Sequence, residues 1–241
     1  MSHLLVEIGN TALKAVWADA ATLGRMFRYQ GEDMAGFILS LMEKECPDVL
    51  LVASAAGLPE EQENRLRACC STYLPLDSRN PGLLSAYGLP ADLPADRAAA
   101  VKAARHLFEG KGTLLFDFGT MLSVDLVEPD GSYGGGFLSP GLTTRFKAVN
   151  RYSRTLPLLR AGDEIPSVGH SVQDAVQAGV VSGILFEIQG YLSRFPEKTP
   201  VFTGGDALYF AKKMKNPIFV VCNLVLTGLA LIAEDYVQRK D

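Results

Sequence analysis

The feature that most constrains the fold is a hairpin pattern that occurs twice in the chain. Near the N-terminus an apolar run leads to Glu7, a Gly9-Asn10-Thr11 turn and a second apolar run. The pattern returns at Thr113 to Asp125, where Asp117 and Gly119-Thr120 take the equivalent places. Glu7 and Asp117 are 110 residues apart in a chain of 241, close to half its length. This self-similarity predicts a protein of two related halves.

Strand-like and helical segments alternate within each half. Strand-like runs occur at 49–53, 73–76 and 200–202, and helical patterns at 33–45, 59–70, 96–109, 143–156, 171–195, 207–215 and from about 223. This order predicts an α/β protein with two lobes, each a mixed sheet flanked by helices. We place the boundary after the glycine-containing segment 109–112, which gives lobes 1–112 and 113–241. A ligand is expected in the cleft between them.

Composition and charge exclude several classes of protein. The net charge is −4 and no Lys/Arg block is present, which argues against nucleic-acid binding. The N-terminus lacks the pattern of a signal peptide, and the most apolar stretch, 217–233, is interpreted as a buried helix rather than a membrane span. Four cysteines without metal-ligand spacing predict reduced thiols in a cytoplasmic protein.

Both hairpin turns have the composition of a phosphate-binding site. The backbone N–H groups of Gly9, Asn10 and Thr11 can point at phosphate oxygens, Lys14 can reach them, and a carboxylate at Glu7 can hold a hydrated divalent ion. Each turn taken alone is better explained as a hairpin chosen for positive φ, with Lys14 on a solvated strand face. Two such turns at equivalent places favour the functional interpretation, because together they can grip a polyphosphate.

Two glycine clusters provide further candidate loops. The segment Gly134-Gly135-Gly136 with Pro140-Gly141 suits close backbone approach to a ligand, but is also explained as a hairpin loop. The segment Thr203-Gly204-Gly205-Asp206 follows a buried strand and precedes a helix, which is where α/β proteins bind ligands. Its alternative explanation is a strand-to-helix turn with Asp206 as the N-cap.

Asp96 and Arg97 open a predicted helix. Arg97 can bind a substrate carboxylate in a bidentate way, and Asp96 can accept a proton from a hydroxyl group. The alternative is that Asp96 caps the helix and Arg97 is a solvated residue of the first turn.

With these residues in place, the chain resembles type III pantothenate kinases over nearly its whole length. Five stretches carry the resemblance in the family's order: 7–14 (D-I-G-N-T-x-x-K), 87–97 (Y-x-x-P-x-x-L-G-x-D-R), 117–125 (D-x-G-T-A-x-T-x-D), 135–141 (G-G-x-I-x-P-G) and 203–207 (T-G-G-D-A). Three departures stand out: Glu7 replaces Asp, Pro94 replaces Gly, and Met121-Leu122-Ser123 replaces A-x-T.

The resemblance implies an actin-like fold of two ribonuclease H-like lobes and an activity, the ATP-dependent phosphorylation of pantothenate that begins coenzyme A synthesis. It implies Asp96 as general base and a homodimer that uses Mg²⁺ and potassium or ammonium, with no nucleic-acid or membrane partner. The other implied roles are substrate contacts at Tyr87, Arg97 and Ser171, ATP contacts at Glu7, Gly9, Asn10, Thr11, Lys14, Thr120, Gly204 and Gly205, and a monovalent-cation ligand at Asp117.

Other functions stay open at this point. A non-catalytic regulatory relative, a kinase for another carboxylate-bearing substrate and a phosphatase are all compatible with such a fold, because a fold does not fix a substrate.

Overall fold

A computed structural model describes residues 2–55, 57–77, 79–153 and 155–239. The chain divides into two compact units. The N-terminal unit contains Met1–Leu107 together with Asn223–Asp241, and the C-terminal unit contains Phe108–Cys222. This division differs from lobes 1–112 and 113–241 chiefly at the C-terminus, where the last helix packs within the N-terminal unit.

The N-terminal unit is a five-stranded mixed sheet in the order β3-β2-β1-β4-β5. Its strands are β1 (Ser2–Ile8), β2 (Leu13–Asp19), β3 (Thr22–Tyr29), β4 (Val49–Ser54) and β5 (Thr72–Leu76). Its helices are α1 (Met34–Leu41), α2 (Glu60–Arg67), α3 (Pro81–Ser85), α4 (Ala95–Leu107) and, after the C-terminal unit, α8 (Leu224–Gln238). β1 is antiparallel to β2 and parallel to β4.

The two faces of this sheet are covered by different helices. Leu4 and Val6 pack with Ile38 of α1 and Leu66 of α2 in one core cluster. The alternate residue His3 faces α8, where its Nε2 lies 2.9 Å from Glu234 Oε1. Side chains of β1 alternate between the two faces of the sheet, so α1 and α2 cover one face, and α8, with α4 packed beside it, covers the other.

Helices α4 and α8 pack very closely against each other. A Cβ on Gly228 would lie under 3.0 Å from the backbone of Ala99, so only glycine allows this approach. The buried face of α4 is rich in alanine, which keeps the two helix axes near one another along their contact.

The C-terminal unit repeats the same topology, with the order β10-β9-β6-β7-β8. Its strands are β6 (Thr113–Phe118), β7 (Met121–Val127), β8 (Tyr133–Pro140), β9 (Thr199–Gly204) and β10 (Phe219–Val220), and its helices are α5 (Leu142–Tyr152), α6 (Val172–Arg194) and α7 (Ala207–Ala211). Aromatic side chains fill its core, among them Phe116, Phe118 and Phe202. The repeated sheet confirms the prediction of two related halves.

Helix α6 is long and apolar enough to cross a membrane by length and composition alone, with a mean hydropathy of 1.2. A single such helix is weak grounds for a membrane span. Its inner face, which includes Val181, Ile184 and Ile188, is buried in the core of the C-terminal unit. The segment 217–233, interpreted from sequence as a buried helix, contributes its last ten residues to α8, which is largely buried.

Strand β8 differs from its sequence-based interpretation. The hairpin turn lies at Asp130-Gly131, where Gly131 has φ +81°, and the three following glycines belong to the strand itself. Glycine is a poor strand former, so neither propensity nor alternation indicated the strand. It exists because it pairs with β7 at the edge of the sheet.

Candidate functional site

The first turn joins β1 to β2 and is closed by a hydrogen bond. Gly9 N donates to Ala12 O at 3.1 Å, and the side chains of Asn10 and Thr11 are exposed. Glu7 and Lys14 face each other across the hairpin, with Lys14 Nζ at 3.0 Å from Glu7 Oε2 and 3.3 Å from Oε1. The carboxylate and ammonium groups predicted for phosphate chemistry therefore lie together, paired with one another.

The second turn, between β6 and β7, has the same construction. Gly119 N donates to Met121 O at 3.1 Å. The carbonyl oxygen of Thr120 accepts hydrogen bonds from Gly141 N at 3.0 Å and from Thr144 Oγ1 at 2.6 Å. A Cβ at position 141 would collide with the backbone of this turn. Gly141 is therefore required to seat the start of α5 against the turn.

The strand register brings Asp117 and the Thr203-Gly204 loop to one edge of the sheet. Asp117 pairs with Thr203, and Phe118 with Gly204. Gly204 has φ +90°, and a Cβ there would lie 2.6 Å from Phe118 N and would also meet Asp117 Oδ1. Glycine thus provides both a left-handed conformation and room for the Asp117 carboxylate.

Asp206 is a candidate residue that the sequence analysis considered only as an N-cap. It occupies the N-cap position of α7, but its side chain makes no capping hydrogen bond. Burial raises the pKa of its carboxyl group. Asp206 therefore gives this edge of the sheet an acidic residue besides Asp117, and a bound cation would favour its charged form.

Asp96 lies in the first turn of α4, which begins at Ala95, and its side chain is exposed. Its carboxylate accepts a hydrogen bond from Arg97 N at 2.9 Å. Pro94 precedes the helix and its carbonyl oxygen accepts from Ala98 N at 2.9 Å. Proline is compatible with the position just before α4. Its carbonyl accepts the first hydrogen bond of the helix, and no helical hydrogen bond requires an N–H group at this position.

Tyr87 lies between α3 and α4 with its ring directed at α4 and α8. Lys102 Nζ is 4.8 Å and Arg239 Cζ 5.1 Å from the ring centroid. Burial, and then the neighbouring Asp235 carboxylate, raise the pKa of the phenol. The ring is therefore held by charged residues of the protein itself.

Ser171 is the N-cap of α6, where its hydroxyl accepts a hydrogen bond from Asp174 N at 3.1 Å. The hydroxyl proton stays available to a ligand, because the cap uses only the acceptor side of the group. The capping sequence Ser-x-x-Asp was visible in the chain as a helix start signal.

One network of ion pairs was not predicted from the sequence. Arg79 binds both Asp77 and Glu63, which joins the end of β5 to α2, and both carboxylates are buried. Arg79 hydrogen bonds outweigh the burial that would raise the pKa of Asp77, and leave it below its ordinary value. Nothing in the residue spacing indicated this contact, since it depends on the fold of the loops after β4 and β5.

The candidate residues fall into two groups by unit. Glu7, Gly9, Asn10, Thr11, Lys14, Tyr87, Asp96 and Arg97 belong to the N-terminal unit, and Asp117, Thr120, Ser171, Gly204 and Gly205 to the C-terminal unit. In the described part of the chain no group of three or more His, Cys, Asp or Glu residues forms a metal-binding cluster. A cation at Glu7 or Asp117 would therefore take most of its ligands from carbonyls, water or phosphate.

The sequence of the chain matches a known protein family. The sequence model of a family described as type III pantothenate kinase matches residues 3–194. A type III pantothenate kinase of Phocaeicola vulgatus is 34% identical over 233 residues, which cover 94% of this chain and 96% of the relative. That of Porphyromonas gingivalis is 32% identical over 240 residues, with 96% and 98% covered.

Solved structures with the same fold are more distant in sequence. A conserved Campylobacter jejuni protein considered to be a Baf family transcriptional activator superposes with a TM-score of 0.63 at 20% identity, covering 98% of this chain and 99% of that one. The activator of 2-hydroxyisocaproyl-CoA dehydratase from Clostridium difficile, with bound ADPNP, gives 0.60 at 12% identity, with 100% and 97% covered. MreB5 of Spiroplasma citri bound to ADP gives 0.53 at 13% identity, with 99% and 98% covered. These matches confirm the predicted actin-like fold of two units.

Proposed function

The chain belongs to the type III pantothenate kinase family, and we propose that it transfers the γ-phosphoryl group of ATP to the hydroxyl group of pantothenate. The product is 4′-phosphopantothenate, and the reaction is the first step of coenzyme A synthesis. The observation that carries this function is the family match over 192 residues, from 3 to 194, which includes four of the five motifs. The matching turns of the two units agree with it.

The two turns and the Gly204-Gly205 loop are the proposed nucleotide-binding elements. Asn10, Thr11 and Thr120 bring backbone N–H groups and hydroxyls to the two turns, where they can bind phosphate oxygens, and Gly9, whose own N–H closes the first turn, allows close approach of the backbone. Lys14 neutralises phosphate charge when it exchanges its Glu7 partner for the nucleotide. The left-handed Gly204 lets the nucleotide approach the end of β9 closely.

Asp96 is the proposed general base. Its exposed carboxylate accepts the adjacent Arg97 N–H at Oδ1, and Oδ2 is the oxygen proposed to accept the proton of the pantothenate hydroxyl. The Arg97 guanidinium is the proposed partner of the substrate carboxylate, and the Ser171 hydroxyl a further substrate contact. Removal of the hydroxyl proton makes the oxygen a better nucleophile as phosphoryl transfer proceeds.

Two cations complete the proposal. Mg²⁺ would be held near Glu7 and K⁺ or NH₄⁺ near Asp117, and both supply positive charge that stabilises phosphate oxygens. Each carboxylate lies near the end of a strand beside a hairpin turn, where water and phosphate oxygens can complete the coordination of an ion. Glu7 is longer than the family's Asp, so it reaches one methylene further from the strand.

We also propose a cytoplasmic homodimer. All four cysteines are free thiols, as expected in a reducing compartment. Helix α6 leaves apolar side chains exposed on its outer face, including Val172 and Phe186, and Phe186 is 69% exposed. An exposed apolar helix face of this kind suits a contact with a second copy of the chain.

The decisive experiment is a kinase assay on the purified protein. ATP, Mg²⁺ and pantothenate are supplied in potassium buffer, and phosphopantothenate is detected by mass spectrometry. Formation of the product supports the kinase and excludes a purely regulatory relative. A panel of other carboxylate-bearing alcohols tests substrate choice, and absence of any phosphorylated product would overturn the proposed function.

A further inference from the structure

The side chain of Tyr87 lies in a cluster with three charged residues, one from α4, one from α8 and one directly after α8. Lys102 of α4 and Arg239, which follows α8, place cations near its ring, at 4.8 Å and 5.1 Å from the centroid. Lys102 Nζ also donates to Asp235 Oδ2 of α8 at 2.6 Å. A cation over an aromatic face is attracted by the ring electrons, and here one of the cations is fixed by its own carboxylate partner. We call Tyr87, Lys102, Asp235 and Arg239 the Tyr87 cluster.

The backbone at Tyr87 is held as well as the ring. Arg105 Nη1, from the last turn of α4, donates to Tyr87 O at 2.7 Å, and Tyr87 N donates to Leu84 O at 2.9 Å. The phenolic oxygen is buried. Residue 87 therefore has little freedom to move independently of α4 and α8.

The chain from this fixed point to the proposed catalytic turn is short. Only eight residues separate Tyr87 from Asp96, and part of this segment is a turn in which Leu93 N donates to Pro90 O at 3.1 Å. At its far end, Ala98 N donates to Pro94 O and starts α4. The segment is thus anchored at both ends. A displacement of Tyr87 would therefore also displace the loop that precedes Asp96 and Arg97.

Helix α8 provides a rigid base for this anchor. Its Gly228 is in close contact with the backbone of Ala99 of α4, and its residues Leu229, Ala230 and Ala233 are fully buried. The family match ends at residue 194, so neither Asp235 nor Arg239 belongs to the part of the chain that carries the match.

We propose that helix α8 positions the substrate-binding segment through the Tyr87 cluster, with Lys102 and Asp235 as positioning residues for pantothenate binding. In this proposal, Tyr87 contributes to pantothenate binding by fixing the position of the loop that carries Asp96 and Arg97. The kinetic part of this inference rests on the proposed function, whereas the structural coupling does not.

The test compares Lys102→Met and Asp235→Asn with a matched control, Glu234→Gln. The control removes a neighbouring carboxylate contact of the same helix, to His3, and leaves the Tyr87 cluster intact. We expect the KM for pantothenate to rise about fivefold or more in the first two variants, and kcat to fall with it because the same loop presents Asp96, with the KM for ATP within about twofold of the parent. Lys102→Arg, which keeps a cation over the ring, should restore the KM to within about twofold.

Hydrogen exchange without substrate provides the second readout. Amides of residues 81–94 should exchange about threefold faster or more in Lys102→Met than in the parent or in Glu234→Gln, because the segment loses its anchor. Should Lys102→Met fold poorly, Arg239→Gln, at the exposed end of α8, tests the same cluster and should shift KM and exchange in the same direction.

The outcomes separate this inference from the proposed function. A parent protein that does not phosphorylate pantothenate overturns the function, and the exchange measurement then decides the coupling by itself. An active parent whose Lys102→Met and Asp235→Asn variants keep the parental KM and exchange rates would overturn the role of α8.

Discussion

At the scale of single residues, the side chain with the most direct chemical task is Asp96. Its carboxylate is exposed at the start of α4 and is the proposed proton acceptor. Asp96→Asn keeps the size of the side chain and removes the base, so turnover should fall about a hundredfold or more. Nucleotide binding, measured by calorimetry with an ATP analogue, should be unchanged. Near-parental turnover in this variant would remove Asp96 from the mechanism.

Glu7 tests whether the first turn is functional or only structural. Glu7→Gln removes the charge that would position the divalent ion, and activity should drop about tenfold or more. Glu7→Asp restores the family's residue and should keep or raise the activity. Steady-state kinetics across a Mg²⁺ titration measures both effects. If Glu7→Gln turns over like the parent, the carboxylate serves only its pair with Lys14.

Asp77 makes stability depend on pH in a defined window. Its folded-state pKa is below the ordinary value of 3.8, because its hydrogen bonds with Arg79 outweigh burial. The stabilisation is therefore complete above about pH 4 and is lost as the pH falls through the folded-state pKa. Urea unfolding of the parent and Asp77→Asn should differ most near pH 6 and converge toward pH 3. Parallel stability curves from pH 6 to pH 3 would contradict this assignment.

At the scale of secondary-structure elements, the contact of α4 with α8 depends on Gly228. Gly228→Ala favours the helix by about 1 kcal/mol, but the added Cβ collides with the backbone of Ala99. Because backbone atoms cannot move aside as a side chain can, we expect a net loss of about 1–3 kcal/mol in the free energy of unfolding.

The matched control for this change is Gly190→Ala in α6, where a Cβ would meet nothing within 4 Å. It should be neutral or stabilising by up to about 1 kcal/mol. Thermal and urea unfolding measure both variants. Equal effects at the two positions would show that the α4–α8 contact tolerates a methyl group.

At the scale of the whole molecule, we expect an active dimer that is stimulated by potassium. K⁺ is large and weakly hydrated, so it should bind well at a site formed by the Asp117 carboxylate and turn carbonyls. Na⁺ should bind there weakly and activate poorly. Light scattering gives the mass, and turnover in potassium is compared with turnover in sodium at equal ionic strength. A monomer with full activity toward pantothenate in sodium alone would contradict both expectations.

The repeated hairpin pattern was sufficient to predict the general architecture. The strand–turn–strand segments at both sites, and the main helices, follow from local periodicity and turn chemistry, which are properties of neighbouring residues. Strands β3, β8 and β10 were not predicted: β3 is largely exposed and lacks a regular apolar alternation, β8 is rich in glycine, and β10 has only two residues. Their strand geometry comes from pairing with β2, β7 and β9.

For the site, the sequence by itself determined which residue types are available for chemistry: the two turns, the Gly204-Gly205 loop, and the Asp96-Arg97 pair, because each is a short contiguous motif. Tertiary structure alone decided that the last helix returns to the N-terminal unit and that Tyr87 is held by Lys102, Asp235 and Arg239. It also decided that Arg79 joins Asp77 to Glu63. The physical reason is that these contacts join residues distant along the chain, so they exist only when sheets and helices have packed, and no local propensity encodes them.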